Sequence, residues 1–370
     1  MKKFITSAIA AAVIATISLA ACSPAPAPAP SPSPSPSQSA PAAPSPSPSE
    51  VASPSPSPSP SPSPAAPAGP KVTWRLADNH PEGYPTVVAD HAFADQVNKA
   101  TNGRITIKIF ANSVLGDENS VIAQVQMGAV EATRVSTGAL AAFSKSMGVF
   151  SLPFLFDNDD HLWKFLLDPK GGGAMLNSLA DSKMYGLCWY DAGARSFYSR
   201  TQILSPEDLK GKKIRTQQNP IVVDLMTTFG ANAVPLGMSE VFSALQTGTI
   251  DGAENNYPTY QSNNDYQMAK YYIEDEHLML PECTVISKAV LDKLSADEQK
   301  IVRDAAIASQ QVERDEWAKY DQQARKTVTD AGCVITKVPD KTPWQKAAQP
   351  IYEKYGADYK DVMDIIKADR

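Results

Sequence analysis

Residues 210–257 read KGKKIRTQQNPIVVDLMTTFGANAVPLGMSEVFSALQTGTIDGAENNY. Lys213 and Ile214 form a short strand-like run that ends at Arg215, and Thr249 and Ile250 form a second run that leads to Asn255 and Asn256. Between them, Val222 to Phe229 and Glu240 to Gln246 read as helices, each stopped by a glycine (Gly230, Gly248) at the C-cap position. Strand, helix, strand, helix, strand is the order of parallel α/β units. In such sheets ligands bind beyond the carboxyl ends of the strands, where Arg215 and the Asn pair fall. A guanidinium fork beside amide donors suits a small anion, above all a carboxylate.

The run Asp208-Leu209-Lys210-Gly211-Lys212-Lys213-Ile214-Arg215, followed by Glu240-Val241-Phe242-Ser243-Ala244-Leu245-Gln246-Thr247-Gly248-Thr249-Ile250-Asp251-Gly252-Ala253-Glu254-Asn255, resembles the signature region of the solute-binding proteins of TRAP transporters, the DctP family. The resemblance covers roughly residues 71–340. It implies an α/β fold of the two-lobed periplasmic binding protein type, with parallel or mixed sheets flanked by helices, hinge strands, and one long helix spanning both lobes. It implies a small carboxylate ligand gripped by Arg215, and TRAP membrane subunits as partner. It also makes Arg195, in the Gly-x-Arg step near a hinge, a second carboxylate-facing arginine, and Asn255 a donor to ligand oxygens.

The N-terminus sets the compartment. Lys2 and Lys3 precede an apolar run from Ile5 to Ala21, a signal-peptide length. The run ends Leu19-Ala20-Ala21-Cys22, which resembles a lipobox and predicts a signal peptide over 1–21, lipidation of Cys22, and anchoring to a membrane. Residues 22–70 are almost entirely Pro, Ser and Ala. Such a segment builds no core and reads as a disordered stalk with a reach on the order of 150 Å at about 3.1 Å per residue. The formal charge of −6 and the absence of a basic cluster exclude a nucleic-acid partner. Cys188, Cys283 and Cys333 leave room for one disulfide or for buried free thiols.

About 300 residues remain for folding, which favours two lobes. The reading assigns 71–192 plus 281–318 to lobe I and 193–280 plus 319–370 to lobe II, with Gly193 at the hinge. In lobe I, Val72 to Leu76, Thr86 to Ala100, Arg104 to Ile109, a helix capped by Asp117, and Val130 to Ser136 give a parallel βαβαβ order. Ser295 to Glu298 forms a capping box that opens a helix to Ala331, closed by Gly332. Some 36 residues at 1.5 Å per residue reach about 54 Å, enough to cross both lobes.

Further site residues follow from position. Arg134 lies inside a strand and needs a partner there, either the ligand or a structural carboxylate. Ser136 and Thr137 end that strand. His80 and Tyr84 sit in the loop after the first strand, again at a carboxyl end. Gln217 and Gln218 follow Arg215 within reach of ligand hydroxyls. Asn256 either joins Asn255 or caps the turn before Pro258, and Glu276 either reaches the ligand or belongs to a solvated acidic run (Glu274 to Glu276). The expected mechanism has the ligand carboxylate bridging arginines of the two lobes and drawing them together.

No G-x-S-x-G, S-x-x-K, H-E-x-x-H or Walker loop occurs, and the four histidines are scattered. An enzyme is therefore not expected, nor a cofactor or a metal. The runs Ala-Arg-Ser-Phe-Tyr (194–198) and Ala-Glu-Asn-Asn-Tyr-Pro (253–258) resemble family branches that bind sugar acids such as uronates or aldonates. A C4-dicarboxylate is the alternative ligand. A periplasmic hydrolase and a surface-display lipoprotein are the alternatives of another class.

Overall fold

The computed structural model describes residues 69–370. The signal peptide, Cys22 and nearly all of the Pro-rich stretch lie outside the described residues. In chain order the strands are β1 (Val72–Ala77), β2 (Ile105–Phe110), β3 (Ala132–Ser136), β4 (Met184–Tyr190), β5 (Ala194–Ser199), β6 (Lys213–Thr216), β7 (Asn232–Pro235), β8 (Gly252–Asn255), β9 (Tyr271–Glu274), β10 (Leu278–Met279), β11 (Glu282–Ser287) and β12 (Val334–Lys337). The helices are α1 (Pro85–Ala100), α2 (Glu118–Gln126), α3 (Thr137–Leu140), α4 (Asp159–Leu167), α5 (Gly172–Ser178), α6 (Pro220–Thr228), α7 (Val241–Thr247), α8 (Tyr257–Ser262), α9 (Lys288–Leu291), α10 (Ala296–Asp330), α11 (Thr342–Tyr355) and α12 (Lys360–Ala368).

Two mixed sheets carry the two lobes. The first runs β2-β1-β3-β11-β4, with β1 parallel to β2 and β3, and β11 antiparallel to β3 and β4. The second runs β12-β9-β5-β8-β6-β7, with β10 added to β5. There β6 is parallel to β7 and β8, while β5 is antiparallel to β8 and β9. The chain passes between sheets at β4–β5 and again at β10–β11, giving two hinge crossings. At the first, Gly193 has φ +55, and a Cβ there would stand 3.2 Å from the Trp317 ring. Only glycine combines that left-handed backbone with that approach.

Caps set several helix starts as the sequence predicts. Asp117 accepts from Ser120 N (2.8 Å) and Ser295 and Glu298 cap each other reciprocally. α10 packs along α1 in the first lobe and against α8 in the second, so it is the helix shared by both. Its 35 residues span about 52 Å. Leu76, Phe93, Val97, Ile105 and Val302 close the core between the first sheet and its helices, and Tyr198, Leu245, Ile250, Tyr260 and Val328 close that of the second. A third cluster joins them on one side, from Phe150, Phe165 and Trp189 through Phe197, Leu225 and Trp344 to Ile366.

Two local expectations shift. The strand expected at Thr249–Ile250 starts at Gly252 instead, because Ile250 N still bonds back to Ala244 O and spends those residues closing α7. The C-terminal segment, read as part of the second lobe, touches both. β12 extends the second sheet, whereas the Tyr352 hydroxyl donates to Pro153 O (2.7 Å) and His161 Nε2 lies 2.8 Å from Ile366 O. Cys188, Cys283 and Cys333 are buried free thiols.

Candidate functional site

Between the sheets, at the carboxyl ends of β1, β6 and β8, lies a narrow, closed-down cavity of about 10 Å³, lined by Asn79, His80, Glu118 and Glu282 on the first lobe and by Arg195, Arg215, Gln217, Met238, Asn255 and Thr259 on the second. Sequence reasoning places five of these at the site: Arg215, Arg195, Asn255, Gln217 and His80.

Arg215 stands on β6, held in register by Val234 and Ala253 on either side. It is 4 % exposed, and its Nε and Nη2 both donate to Leu236 O (3.0 and 2.7 Å). Among the described residues the other buried arginines each have a carboxylate partner: Arg104 has Glu298, Arg134 has Asp78, and Arg195 has Glu254. Arg215 forms no salt bridge with any described residue. Burial pulls its pKa below the usual arginine value, with Glu254 acting in the opposite direction. A guanidinium stays charged nonetheless, so the cavity contains a buried cation whose only direct hydrogen-bond acceptor among the described residues is the Leu236 carbonyl.

Arg195, on β5, is clamped by Glu254 through Nε (2.5 Å) and Nη2 (2.9 Å) and donates from Nη1 to Asn255 Oδ1 (2.8 Å). That oxygen also accepts from Asn256 N (2.9 Å), which fixes the amide and turns its Nδ2, unpartnered among described residues, into an available donor. Gln217 Oε1 is buried without a hydrogen-bond partner. It faces Gly138 across the lobes so closely that any Cβ at 138 would collide with it.

On the first lobe, His80 stacks flat on Tyr84 (3.8 Å between centroids) and its Nδ1 lies 2.5 Å from Arg134 Nη2. Arginine only donates, so Nδ1 accepts and the ring proton sits on Nε2. Burial, with Arg134 close by, lowers the His80 pKa to about 4, so the ring is neutral. Glu282 is pushed up to about 8, because burial beside Glu118 and Asp78 outweighs the pull of Arg134. Tyr84 OH meets Thr259 Oγ1 across the cleft at 3.0 Å.

The remaining predicted residues stand elsewhere. Arg134 does not line the cavity: it lies behind the first-lobe wall, bonded to Asp78 (Nε to Oδ2, 2.9 Å), Asn79 and His80, with Glu282 at 2.7 Å. The two arginines that face the cavity, Arg195 and Arg215, both belong to the second sheet. The expected bridge between arginines of opposite lobes is thus not the arrangement found, since Arg134 is already committed to Asp78. Ser136 accepts from Gly138 N (3.2 Å) as the cap of α3, while Thr137 follows it, buried. Asn256 caps α8 and donates to Ala192 O at the hinge (2.9 Å). Glu276 pairs with Lys341 at a separate cavity of about 300 Å³ behind the hinge. Gln218 accepts from Asn119 (2.9 Å), another contact between lobes.

Glu282, Glu118, Asn79, Met238 and Thr259 were not anticipated as site residues. Glu282 carried a signal, as a lone acid in the apolar run Leu280–Ile286. Met238 carried none, because its approach to Asn79 (3.7 Å) joins residues 159 positions apart.

Two hinged lobes sharing a long helix, with a polar closed cavity between strand ends, define a ligand-binding protein of the periplasmic type. The chain belongs to the DctP family, described as bacterial extracellular solute-binding protein, family 7, whose model matches residues 76–358. It is 44% identical to a TRAP periplasmic solute-binding protein from Xanthobacter autotrophicus Py2 solved with β-D-galacturonate (TM-score 0.78; 80% of this chain and 99% of that one). It is 42% identical to one from Pseudomonas putida F1 solved with D-glucuronate (TM-score 0.78; 80% and 97%). A solute-binding protein from Chromohalobacter salexigens is 35% identical over 295 residues, 80% of this chain and 88% of that protein. Among the described residues no helix is long and apolar enough to cross a membrane.

Proposed function

We propose that this protein captures a sugar acid, a uronate or a close relative, in the cleft and delivers it to a TRAP-type secondary transporter. The observation that carries this reading is Arg215: a buried guanidinium that forms no salt bridge with any described residue, in a cavity lined mostly by polar side chains. A ligand carboxylate supplies the missing charge bidentately. Arg195 and Asn255 Nδ2 flank it, and Gln217, His80 Nε2, Asn79 and Thr259 meet hydroxyls around a ring. The similar proteins solved with galacturonate and glucuronate support the same chemistry.

The mechanism is capture by closure, without a chemical step. Ligand held by the second lobe presents its hydroxyl edge to the first. Contacts that exist only when the lobes meet, such as Asn219 Nδ2 to Gly138 O (2.9 Å) and to Ser151 Oγ (2.7 Å), then favour the closed state. Ligand shifts the population because it binds that state better than the open one. Lipidation at Cys22 and the stalk over 22–70 would hold the domain near its transporter and raise its local concentration there.

The test is calorimetric titration of residues 69–370 with D-glucuronate, D-galacturonate, an aldonate and succinate. A Kd in the micromolar range or tighter for a sugar acid, and none for succinate, supports the reading. Binding of succinate alone, or of no carboxylate, would sink it.

A further inference from the structure

The two walls of the cleft differ in charge, and that asymmetry selects among acids. On the second lobe, Arg195 is paired with Glu254, while Arg215 forms no salt bridge with any described residue. On the first lobe, three carboxylates, Asp78, Glu118 and Glu282, stand around the single guanidinium of Arg134. Asp78 takes most of it: Arg134 Nε donates to Asp78 Oδ2, Nη2 reaches Oδ1, and His80 N (2.7 Å) and Thr86 Oγ1 (2.7 Å) complete that carboxylate. Glu282 is left with a 2.7 Å approach from Arg134 Nη1 that is too misaligned to be a hydrogen bond, and its Oε2 is buried and unpartnered. Glu118 stands 3.5 Å from the same Nη1 and accepts only from Ser136 N (2.9 Å). Both line the cavity opposite Arg215.

The geometry points to Glu118 and Glu282 as a carboxylate-excluding wall, which restricts the site to acids charged at one end and hydroxylated at the other. This rests on the reading that Arg215 takes the ligand carboxylate. A sugar monoacid seats its charge on the second lobe and offers neutral hydroxyls to the two glutamates, which hydrogen-bond with them. An aldarate, the same sugar with a carboxylate at each end, sets its second charge against Glu118 and, once pH exceeds about 8, against an ionised Glu282 as well. Like-charge juxtaposition in such a setting is strongly unfavourable, and a C4-dicarboxylate meets the same wall.

Glu282 gives the wall a pH signature. It is surrounded by Arg134 on β3, Glu118 on α2, Asp78 and His80 after β1, Tyr84 beside α1 and Arg195 on β5, with Asp90 and Glu313 further off. Burial keeps its proton on until about pH 8. Exclusion of a diacid therefore strengthens as pH rises through that value, while both ligands remain fully ionised throughout.

The test measures Kd for D-galacturonate and for galactarate on the wild type, Glu282→Gln and Glu118→Gln, at pH 6 and pH 9. Wild type is expected to prefer the monoacid by about a hundredfold at pH 9 and by less at pH 6, each tenfold being about 1.4 kcal/mol. Glu282→Gln is expected to narrow the ratio about tenfold and to flatten its pH dependence. Glu118→Gln keeps the acceptor for Ser136 N and narrows the ratio even if Glu282→Gln fails to fold. Monoacid binding with a ratio that neither variant changes overturns the exclusion and spares the Arg215 reading. Absence of monoacid binding in the wild type overturns both.

Discussion

Replacing Arg215 by methionine separates a ligand clamp from a structural arginine, because the two roles move ligand-free stability in opposite directions. Arg215 makes two hydrogen bonds in the ligand-free protein, both to Leu236 O, and no ion pair among the described residues. Removing it leaves that carbonyl without those donors, a cost of about 1–3 kcal/mol. It also removes a buried charge whose desolvation costs several kcal/mol. The expected result is a melting temperature for ligand-free Arg215→Met that stays the same or rises by a few degrees. Binding should respond very differently. Truncating one partner of a buried, hydrogen-bonded charge pair costs about 2–5 kcal/mol, so Kd for the sugar acid should weaken by about thirtyfold to a few thousandfold. At a ligand concentration about 100 times the wild-type Kd, wild type gains about 2.7 kcal/mol of stability. A variant weakened about a hundredfold gains about 0.4 kcal/mol under the same conditions. Differential scanning fluorimetry with and without ligand, alongside calorimetric titration, reads both quantities. A variant that melts several degrees lower without ligand, yet binds with unchanged Kd, would refute the reasoning and make Arg215 a structural residue.

Arg195→Ala should behave in the opposite way without ligand. It strands Glu254, which is buried and contacts Arg195 through both carboxylate oxygens, so a loss of about 3–5 kcal/mol is expected, measured by urea denaturation. Gly138→Ala places a methyl group against Gln217 and, at 2.9 Å, against Leu280. It should wedge the lobes apart and weaken ligand binding about tenfold or more while both lobes stay folded, seen as a larger radius of gyration with ligand by small-angle scattering. Asn219→Ala removes the cap of α6 together with the bonds to Gly138 O and Ser151 Oγ, and should lower stability by about 0.5–2 kcal/mol and speed ligand release in stopped-flow. Glu282 (about 8), Asp265 (about 7) and Asp159 (about 6) have carboxyl pKa values raised chiefly by burial. Below the unfolded value near 4 both states keep these protons. As pH rises from there to about 8 the unfolded chain releases them first, so ligand-free stability should fall across that window, which melting temperatures at pH 5 and pH 8 check.

The sequence by itself determined the local pieces and the chemistry of the principal cation. Alternating and 3.6-residue apolar patterns placed β1, α1, β2 and α2, and caps at Asp117 and Ser295 placed helix starts, because these signals depend on neighbours within a few residues. Arg215 was legible as the end of a short strand, since that needs no distant partner to be read, whereas its role toward a ligand rested on the resemblance of the surrounding motif. Thr249–Ile250 were misplaced for the same reason, as propensity did not show that Ile250 N would bond back to α7. What only the tertiary structure decided is which charges are already neutralised. Arg134, Arg195 and Arg215 are equivalent as letters, but their partners lie 56, 59 and, for the Leu236 carbonyl, 21 positions away. A guanidinium bound to Asp78 is part of a wall, and one bound to a carbonyl alone is an open site. Glu282, the acid we propose selects among ligands, stood out only as a lone acid in an apolar run, and its pairing with Glu118 was hidden, because the two are 164 positions apart in sequence while both line one cavity. Charge complementarity in a binding cleft is set by distances between side chains on different lobes, and those exist only once the two sheets have folded and met.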